Sequence, residues 1–352
     1  MRVARATRWM LALALIAFAG SVHAADEGSF ALEFLGLGVG ARAAAMGSAY
    51  VAVAEDASAA YWNPAGLTGV EQYGFTSQHA DMFQQGTQES ALMRGLAQYN
   101  FVNVVVPFNQ GKLGISWIRL GIDDVPRVTF DDVNGDGILG TFRDLNQNGV
   151  KDIGERYVDN PQIAETFTTS DNALLLSYAR VLGSRVSVGG TAKIVRQSII
   201  ANRGNGFGAD LGAIVRLHDN VRGGLVVQDA VGTRVKWDTP GRPTFSREAN
   251  PRAGIAVRLP GGRLAALALA ADVDLNRTTR LSEEGSESRL HAGAELTLLR
   301  TVSFRAGLDA GEFTAGAGFR IPVRDVTVHA DYAFMTHPDL GDAQRLSLTG
   351  SF

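Results

Sequence analysis

The segment between positions 144 and 155 has the residue spacing of a calcium-binding loop. It carries oxygen-bearing side chains at loop positions 1, 3, 5 and 9, a glycine at position 6 and a glutamate at position 12. Ca²⁺ takes about six to eight oxygen ligands, and this spacing wraps one stretch of chain around a single ion. The candidate ligands, with a main-chain carbonyl at position 7, are Asp144, Asn146, Asn148, Val150, Asp152 and Glu155.

A weaker second loop begins just upstream with Asp132, Asn134 and Asp136. It has Gly140 and Arg143 where a calcium loop needs oxygen ligands, so it is incomplete unless a neighbouring aspartate helps. Because Asp, Asn and Gly also dominate turns, the alternative for both loops is a solvated, turn-rich segment. No helical pattern flanks either loop, so a bound Ca²⁺ would be a structural cofactor that stiffens the segment rather than a sensor.

The sequence indicates no catalytic chemistry. The six histidines lack metal-ligand spacing, the chain has no cysteine, and Gly36, Gly38 and Gly40 follow no strand of the kind that a dinucleotide fingerprint requires. With 33 basic and 36 acidic residues, a net charge of -3 gives no general attraction to nucleic acid. We therefore predict a protein that is not an enzyme and has no nucleic-acid partner.

Residues 1–24 have the pattern of a signal peptide. Three arginines precede an apolar run, which ends at the small-residue cleavage site Val22–Ala24. A short membrane anchor is the alternative, but the run is well below the about 20 residues needed to span a bilayer. The working protein is therefore expected to be exported.

Apolar and polar residues alternate through the C-terminal half, which is typical of strands. A soluble exported β-protein also alternates, because one face of each sheet packs on a core. Here one face is nearly free of charge and the other carries both signs densely, as expected for lipid outside and a wet lumen inside. The positions expected to face inward include Arg289, His291, Glu295, Arg305, Asp309, Arg320, His329, Asp331 and Arg345.

The spacing of turns predicts the fold class. Six short turns alternate with seven mostly longer loops, the longest at 121–171 and others at 198–206 and 229–251. We predict an all-β protein, a transmembrane β-barrel of about 14 antiparallel strands over residues 71–352, with short turns facing the periplasm. Phe352 ends an alternating strand and resembles the C-terminal signal by which outer-membrane barrels are recognised for insertion.

Residues 25–70 precede the barrel and are rich in glycine and alanine. Asp56 can cap a short helix that stops at Asn63–Pro64, because the residue before a proline is disfavoured in helical conformation. Slim side chains would let this segment lie inside the barrel as a small plug, or hatch. The glycine excess, 41 of 352 residues, then serves in part the inward strand positions Gly293, Gly307 and Gly318.

Three stretches of this segment carry a family resemblance: residues 40–42, 46–49 and 55–67. They resemble the N-terminal signature of the PorV/PorQ family of outer-membrane proteins. This family is related to the FadL fatty-acid transporters, whose hatch carries a motif comparable to Asn63, Pro64 and Ala65. The remainder of the chain is similar in architecture. The resemblance implies an outer-membrane protein of a Gram-negative-type bacterium, surrounded by outer-membrane lipid.

The resemblance implies two alternative functions. In the PorV branch the barrel is an accessory of protein secretion or surface assembly, so its partners would be secreted cargo or the secretion machinery. In the FadL branch the hatch shifts and hydrophobic small molecules, such as long-chain fatty acids, pass through an opening in the wall. The charged inward positions favour the secretion accessory, with the FadL-like channel as the alternative. Residues 63–65 are either a helix-stop turn or a movable hatch element.

Calcium binding predicts a change in protease sensitivity. Lys151 and Arg156 lie in or beside the downstream loop, so Ca²⁺ should protect both from trypsin and a chelator should expose them. Peptide mapping across a calcium titration measures this. Protection that a chelator leaves unchanged would contradict the calcium loop.

Overall fold

The computed structural model describes residues 32–82, 97–135, 137–138, 140–143, 145, 157–262, 264–275, 290–336 and 342–352. The signal peptide predicted at 1–24 and the start of the predicted plug, 25–31, lie outside these ranges. Within them, no helix is long and apolar enough to cross a membrane.

In the described part of the chain, sixteen strands form one antiparallel sheet. They are β1 Gly74–Met82, β2 Ala97–Phe108, β3 Gly111–Asp131, β4 Asn160–Leu182, β5 Val186–Ile199, β6 Asn202–His218, β7 Val221–Gln228, β8 Thr233–Trp237, β9 Thr244–Arg247, β10 Asn250–Gly261, β11 Ala265–Asp274, β12 Leu290–Leu298, β13 Val302–Asp309, β14 Glu312–Val323, β15 Val326–Met335 and β16 Ala343–Ser351.

Fourteen of these strands close into a barrel. Neighbours in sequence pair around the sheet, β1 pairs with β16, β7 pairs with β10, and β5 pairs with β6 to complete the ring. The short strands β8 and β9 form an extra hairpin, attached to β6 through β8. The prediction of a fourteen-stranded antiparallel barrel is confirmed.

The period-two pattern of the sequence sets which side chains face the lumen. On β13, Phe304 is 53% exposed on the outer wall, whereas the neighbouring Arg305 is 5% exposed on the inner wall. Lipid accommodates an apolar outer face but offers no hydrogen-bond partner to main-chain N–H and C=O groups. Closure of the sheet pairs these groups between neighbouring strands, so no strand edge in the ring is left unpaired. Charged side chains are thereby concentrated inside.

Three expected loops differ from the structure, and the one at 229–251 contains the strands β8 and β9. The expected loop at 198–206 was wrong, since β5 continues to Ile199 and β6 begins at Asn202. Glycines occupy alternate inward positions of β6, so its inward face shows no pattern of apolar residues in the sequence. Much of the expected loop at 121–171 is also strand, because β3 and β4 pair as far as Asp131 and Asn160. β-Bulges between Ile122 and Val125 shift the alternation there, so period two is lost although pairing continues.

Residues 32–70 form a compact segment, the N-terminal segment, inside the barrel. It contains two short helices, Ala41–Ala45 and Ala59–Trp62, and two 3₁₀ turns, Glu33–Leu35 and Pro64–Gly69. Asn63 is extended before Pro64, as the helix-stop prediction requires, and its side-chain oxygen accepts a hydrogen bond from the Ala65 N–H (3.2 Å). Nearly all of the segment is buried against the barrel strands.

Glycine permits the closest contacts between this segment and the inner wall. A Cβ atom at Gly293 would clash with the main chain of Met46, and one at Gly307 would clash with Gly47. Gly224 on β7 has the same relation to Val51. Main chain therefore lies directly on main chain, at a separation that no other residue allows.

This contact predicts that one added methyl group lowers stability at a glycine that touches the segment but not at a glycine with open space beside it. Gly293→Ala should lower the free energy of unfolding by about 1–3 kcal/mol, because the wall or the segment has to shift. Gly190→Ala is the matched control, since a Cβ there meets atoms only at 3.5 Å or more. Denaturant unfolding of the two purified variants measures the difference, and equal midpoints would contradict the packing described.

Candidate functional site in the barrel lumen

One side of the lumen is predominantly apolar. We call the inward, buried apolar side chains of β1 to β5 the apolar half. Polar side chains interrupt it: the Asn103 amide donates to Ser116 Oγ (2.5 Å), Ser177 Oγ lies 2.8 Å from Thr191 Oγ1, and Gln78, Lys193 and Gln197 are buried on the same strands. Its members are Ala80, Met82, Ala97, Tyr99, Phe101, Val105, Ile118, Ala173, Leu175, Ala179 and Val195.

The N-terminal segment and the β8–β9 hairpin complete this apolar surface. Leu32, Phe34 and Leu35 from the segment and Val235 and Trp237 from the hairpin belong to the same buried cluster. Within the segment, the rings of Tyr61 and Trp62 meet edge to face with centroids 5.1 Å apart. The segment therefore covers the apolar half with apolar and aromatic side chains of its own.

The opposite side of the lumen is charged and binds the segment by ion pairs. Arg42 in the first short helix forms two hydrogen bonds of 2.8 Å with Glu295 on β12. Glu295 also accepts from Arg305 Nε (2.6 Å), which in turn donates to Asp331 (2.7 Å). The sequence predicted these inward charges, and the structure joins them into one network that includes the N-terminal segment.

A second network surrounds His291. Its Nδ1 lies 2.7 Å from an Asp309 carboxylate oxygen and its Nε2 lies 3.2 Å from one of Asp274. Both ring nitrogens therefore face carboxylate oxygens, which can accept hydrogen bonds from the ring. Asp309 also accepts from Ser48 Oγ (2.6 Å), and the Asp272 carboxylate accepts from the Val51 N–H (2.9 Å). This network fixes the turn after the first helix.

A third network ties the β8–β9 hairpin to the wall. Lys193 Nζ lies 2.7 Å from Asp210 and 2.6 Å from Asp229, both buried. Arg247 of the hairpin donates to Asp229 (2.9 Å) and also to the Leu32 carbonyl (3.4 Å). The hairpin is thus connected both to the wall and to the start of the described N-terminal segment.

At the end of the barrel that carries the short turns, a cavity of about 400 Å³ opens between the segment and strands β10 to β16. Glu55 borders it and pairs with Arg258 (2.6 Å) and Arg222 (3.0 Å). Burial alone would raise the pKa of Glu55, but the positive charges of Arg42, Arg258 and Arg222 lower it overall. Glu55 is therefore a carboxylate at neutral pH, and it links the segment to the wall at this end of the barrel.

The predicted hatch motif lies deep in this arrangement. Asn63, Pro64 and Ala65 are fully buried, and the Asn63 amide donates to the carbonyls of Val51 (2.9 Å) and Ala213 (3.2 Å). The motif therefore stops a helix and anchors the segment to β6. Movement of the motif as a hatch stays a prediction.

Phe352, the predicted insertion signal, lies at the rim that carries the short turns. Its ring stacks on that of Tyr73 with centroids 5.3 Å apart, and the two residues exchange main-chain hydrogen bonds of 2.9 and 3.1 Å. The contact joins the two ends of the barrel sequence. Its recognition during insertion stays a prediction.

Most of the predicted calcium ligands lie outside the described residues: Asp144, Asn146, Asn148, Val150, Asp152, Glu155 and, in the upstream loop, Asp136. Asp132 is described, and its carboxylate accepts from the N–H groups of Gly135 (2.6 Å) and Gly137 (2.9 Å). The part of the chain that the structure describes contains no group of three acidic or histidine side chains that could hold a metal ion. Calcium binding stays a prediction.

Sequence reasoning missed the apolar half and the role of Asp229. On β2, residues 101–106 carry apolar side chains on both faces, so the alternation that marks the later strands is weak there. A run that is apolar on both faces indicates a strand buried on both sides, and this signal was present in the sequence. Asp229 and Arg247 meet only because the hairpin folds back, which no local pattern encodes.

Comparisons with known proteins agree with the barrel architecture. No protein-family model and no curated protein matches the chain. Among solved structures, the CymD monoaromatic hydrocarbon channel is similar at 14% identity and a TM-score of 0.51, over 92% of this chain and 99% of that one. The deltaS2 mutant of the TodX monoaromatic hydrocarbon channel is similar at 12% identity and a TM-score of 0.50, over 92% of this chain and 99% of that one.

The toluene transporter TbuX of Ralstonia pickettii is similar at 12% identity and a TM-score of 0.49, over 91% of this chain and 98% of that one. The resemblance of the N-terminal residues to PorV/PorQ proteins rests on those residues alone. At these identities the likeness to solved structures is one of fold. The chain has the fold of a FadL-like outer-membrane β-barrel.

Proposed function

We propose that this protein is an outer-membrane channel for hydrophobic small molecules, and that residues 32–70 close its lumen. The observation that carries the proposal is the apolar half of the lumen. Water-filled porins have polar interiors, and an apolar inner wall would serve no purpose for a polar solute. Sites for small hydrophobic ligands are concave and lined mainly by apolar and aromatic side chains.

The N-terminal segment supports the proposal because it covers this apolar surface with side chains of similar chemistry. Tyr61, Trp62 and Leu35 contact the same cluster that a hydrophobic ligand would contact. Ligand and segment would therefore compete for one surface, and entry of the ligand would shift the segment. CymD and TodX are described as monoaromatic hydrocarbon channels, which agrees with this substrate class.

The secretion accessory was the leading prediction from the sequence, and the apolar half supports the alternative better. The charged inward residues on which that preference rested are occupied in binding the N-terminal segment, as Arg42 and Glu295 show. These charged residues are therefore compatible with an apolar path elsewhere in the lumen. The secretion reading rests on the resemblance of residues 40–67 alone.

We further propose that Ca²⁺ binds the loop at 144–155 as a structural ion. The strands that carry this loop, β3 and β4, have 21 and 23 residues, about twice the roughly 9–11 that cross a bilayer. The hairpin therefore projects well beyond the membrane on the outer side. A bound ion would stiffen its tip without forming part of the channel.

The channel predicts uptake of a neutral hydrocarbon that depends on the apolar half. Cells of a Gram-negative host without a comparable channel should take up radiolabelled toluene faster when they express this protein. Met82→Lys places a charge in the buried cluster at the outer end of β1 and should reduce that gain about tenfold, since an unpaired charge in an apolar site is costly.

His79→Lys is the matched control, because His79 lies on the same strand but on the outer face with its side chain half exposed. It should leave uptake within about twofold of the unmodified protein, at equal amounts of folded barrel in the membrane. Uptake no faster than in cells without the protein would refute the channel. Equal uptake by both lysine variants would refute passage along the apolar half.

A further inference from the structure

On the outer face of the wall, the apolar side chains of β3 to β6 end at one common register. The last apolar row, which we call the apolar row, consists of Trp117, Leu174, Ile194 and Phe207. These residues pair directly from strand to strand, and all are exposed large apolar side chains. Toward the end of the barrel that carries the long loops, the next outward residue of each strand is polar. The outer wall of this sector therefore changes from apolar to polar along a sharp line.

The first polar row, which we call the basic row, alternates cations with amides. From β3 to β8 its directly paired members are Arg119, Asn172, Arg196, Asn205 and Lys236. Neighbouring strands lie about 4.8 Å apart, so successive cations are roughly 10 Å apart with one amide between them. Two cations and the amide between them can contact one small anionic group. The row offers two such positions.

The surroundings of the basic row carry an excess of positive charge. Arg203 and Arg234 add two exposed cations on the adjoining positions of β6 and β8. The acidic neighbours are Asp123, which lies 3.8 Å from Arg119, and Asp238 at the end of β8. Five cations and two carboxylates give this sector a net charge of +3, although the whole chain carries -3. The sector therefore attracts anions against the charge of the protein as a whole.

The centre of the basic row is held in place by its own hydrogen bonds. Asn172 Oδ1 accepts from the indole N–H of Trp117 (3.2 Å), and Asn172 Nδ2 donates to Ser170 Oγ (2.7 Å). These two contacts fix the amide between Arg119 and Arg196. Within the described residues, Arg196 has no acidic partner, so its charge is available to a ligand.

The strands from β12 to β16 have no comparable row. Their described outward positions carry no lysine or arginine. The arginines of these strands, among them Arg305 and Arg345, face the lumen and are buried. Basic residues on the outer wall are thus concentrated in one sector, whereas a general preference for charge at the membrane surface would distribute them around the ring.

A basic row beside an exposed apolar row has the chemistry of a site for a phosphorylated lipid. The planar guanidinium of arginine matches phosphate oxygens with paired hydrogen bonds, and amides add further donors. Acyl chains of the same molecule would cover the apolar row. Inorganic phosphate or an acidic protein would use the basic row alone and leave the apolar row without a function.

We propose that Arg119, Arg196 and Lys236 bind the head group of an outer-leaflet lipid that carries two phosphates, and that the apolar row contacts its acyl chains. The long loops of outer-membrane barrels face the cell exterior, which places the basic row toward the outer leaflet. The site lies on the outside of the wall. It goes beyond the proposed channel function and does not depend on it.

The test uses native mass spectrometry of the folded full chain in nonionic detergent, with diphosphorylated lipid A as the probe. Replacing Arg119→Gln, Arg196→Gln and Lys236→Gln together should weaken binding of the probe at least about tenfold, because each cation beside an anionic head group contributes to binding. Monophosphorylated lipid A with the same acyl chains should bind the unmodified protein about fivefold more weakly than the probe. The triple variant should no longer distinguish the two lipids.

The matched control removes the same charge at the other end of the barrel. Arg180→Gln, Arg216→Gln and Arg324→Gln together change three exposed residues near the short turns and should leave binding of the probe within about twofold. Arg119→Lys with Arg196→Lys keeps both charges and should retain most of the binding. Heat-modifiable migration in gels establishes that every variant is a folded barrel.

Equal binding of the probe by the unmodified protein and the basic-row triple variant would overturn the lipid site. An equal loss in the control triple variant would overturn it as well, because binding would then follow total charge and not position. Equal binding of the two lipids by the unmodified protein would show that the second phosphate is not recognised, and would refute a site for two phosphates. Failure of toluene uptake in cells is a separate outcome, which removes the channel and leaves this site standing.

Discussion

The lumen of this barrel is filled by main chain packed on main chain, and the remaining features of the interior depend on that contact. Residues 32–70 reach the inner wall at Gly224, Gly293 and Gly307, where a single added Cβ would clash with the segment. At this separation little water can enter, so each buried polar group of the segment needs a hydrogen-bond partner within the protein. The ion pairs and caps of the lumen satisfy this requirement.

The two halves of the lumen consequently serve different purposes. The charged half orients the segment: Arg42 has one position in which it satisfies Glu295, and Ser48 has one in which it satisfies Asp309. Buried ion pairs of this kind add little net stability compared with an apolar contact, but losing one partner leaves a costly unpaired charge. The apolar half holds the segment by burial, which is non-directional. An interior divided in this way fixes the register of the segment on one side and packs it without directional bonds on the other.

The sequence was informative where one face of a strand met lipid and the other met charge. From β12 to β16 the alternation identified the inward side of residues such as Glu295, Arg305 and Asp331 correctly, and glycines 293 and 307 were recognised as points of approach. On β2 the alternation is blurred, because apolar Phe101 and Val105 face inward while the outer face is apolar too. On β3 the bulges after Ile122 shift the phase of the alternation. The position of Arg345 beside Tyr99 depends on pairing between the first and last strands, a contact that no local pattern contains.

We propose that the N-terminal segment has to leave the inner wall before a hydrophobic molecule can pass. The chain has no cysteine, so a pair introduced at Ser48 and Asp309, whose side chains touch at 2.6 Å, would tether the segment to β13 by a unique disulfide. The measurement is toluene uptake by cells that carry the double variant, oxidised and then reduced, with each single cysteine variant as control. We expect uptake to fall to background when the bond forms and to return on reduction. Undiminished uptake through the tethered barrel would show that passage does not require the segment to leave the wall.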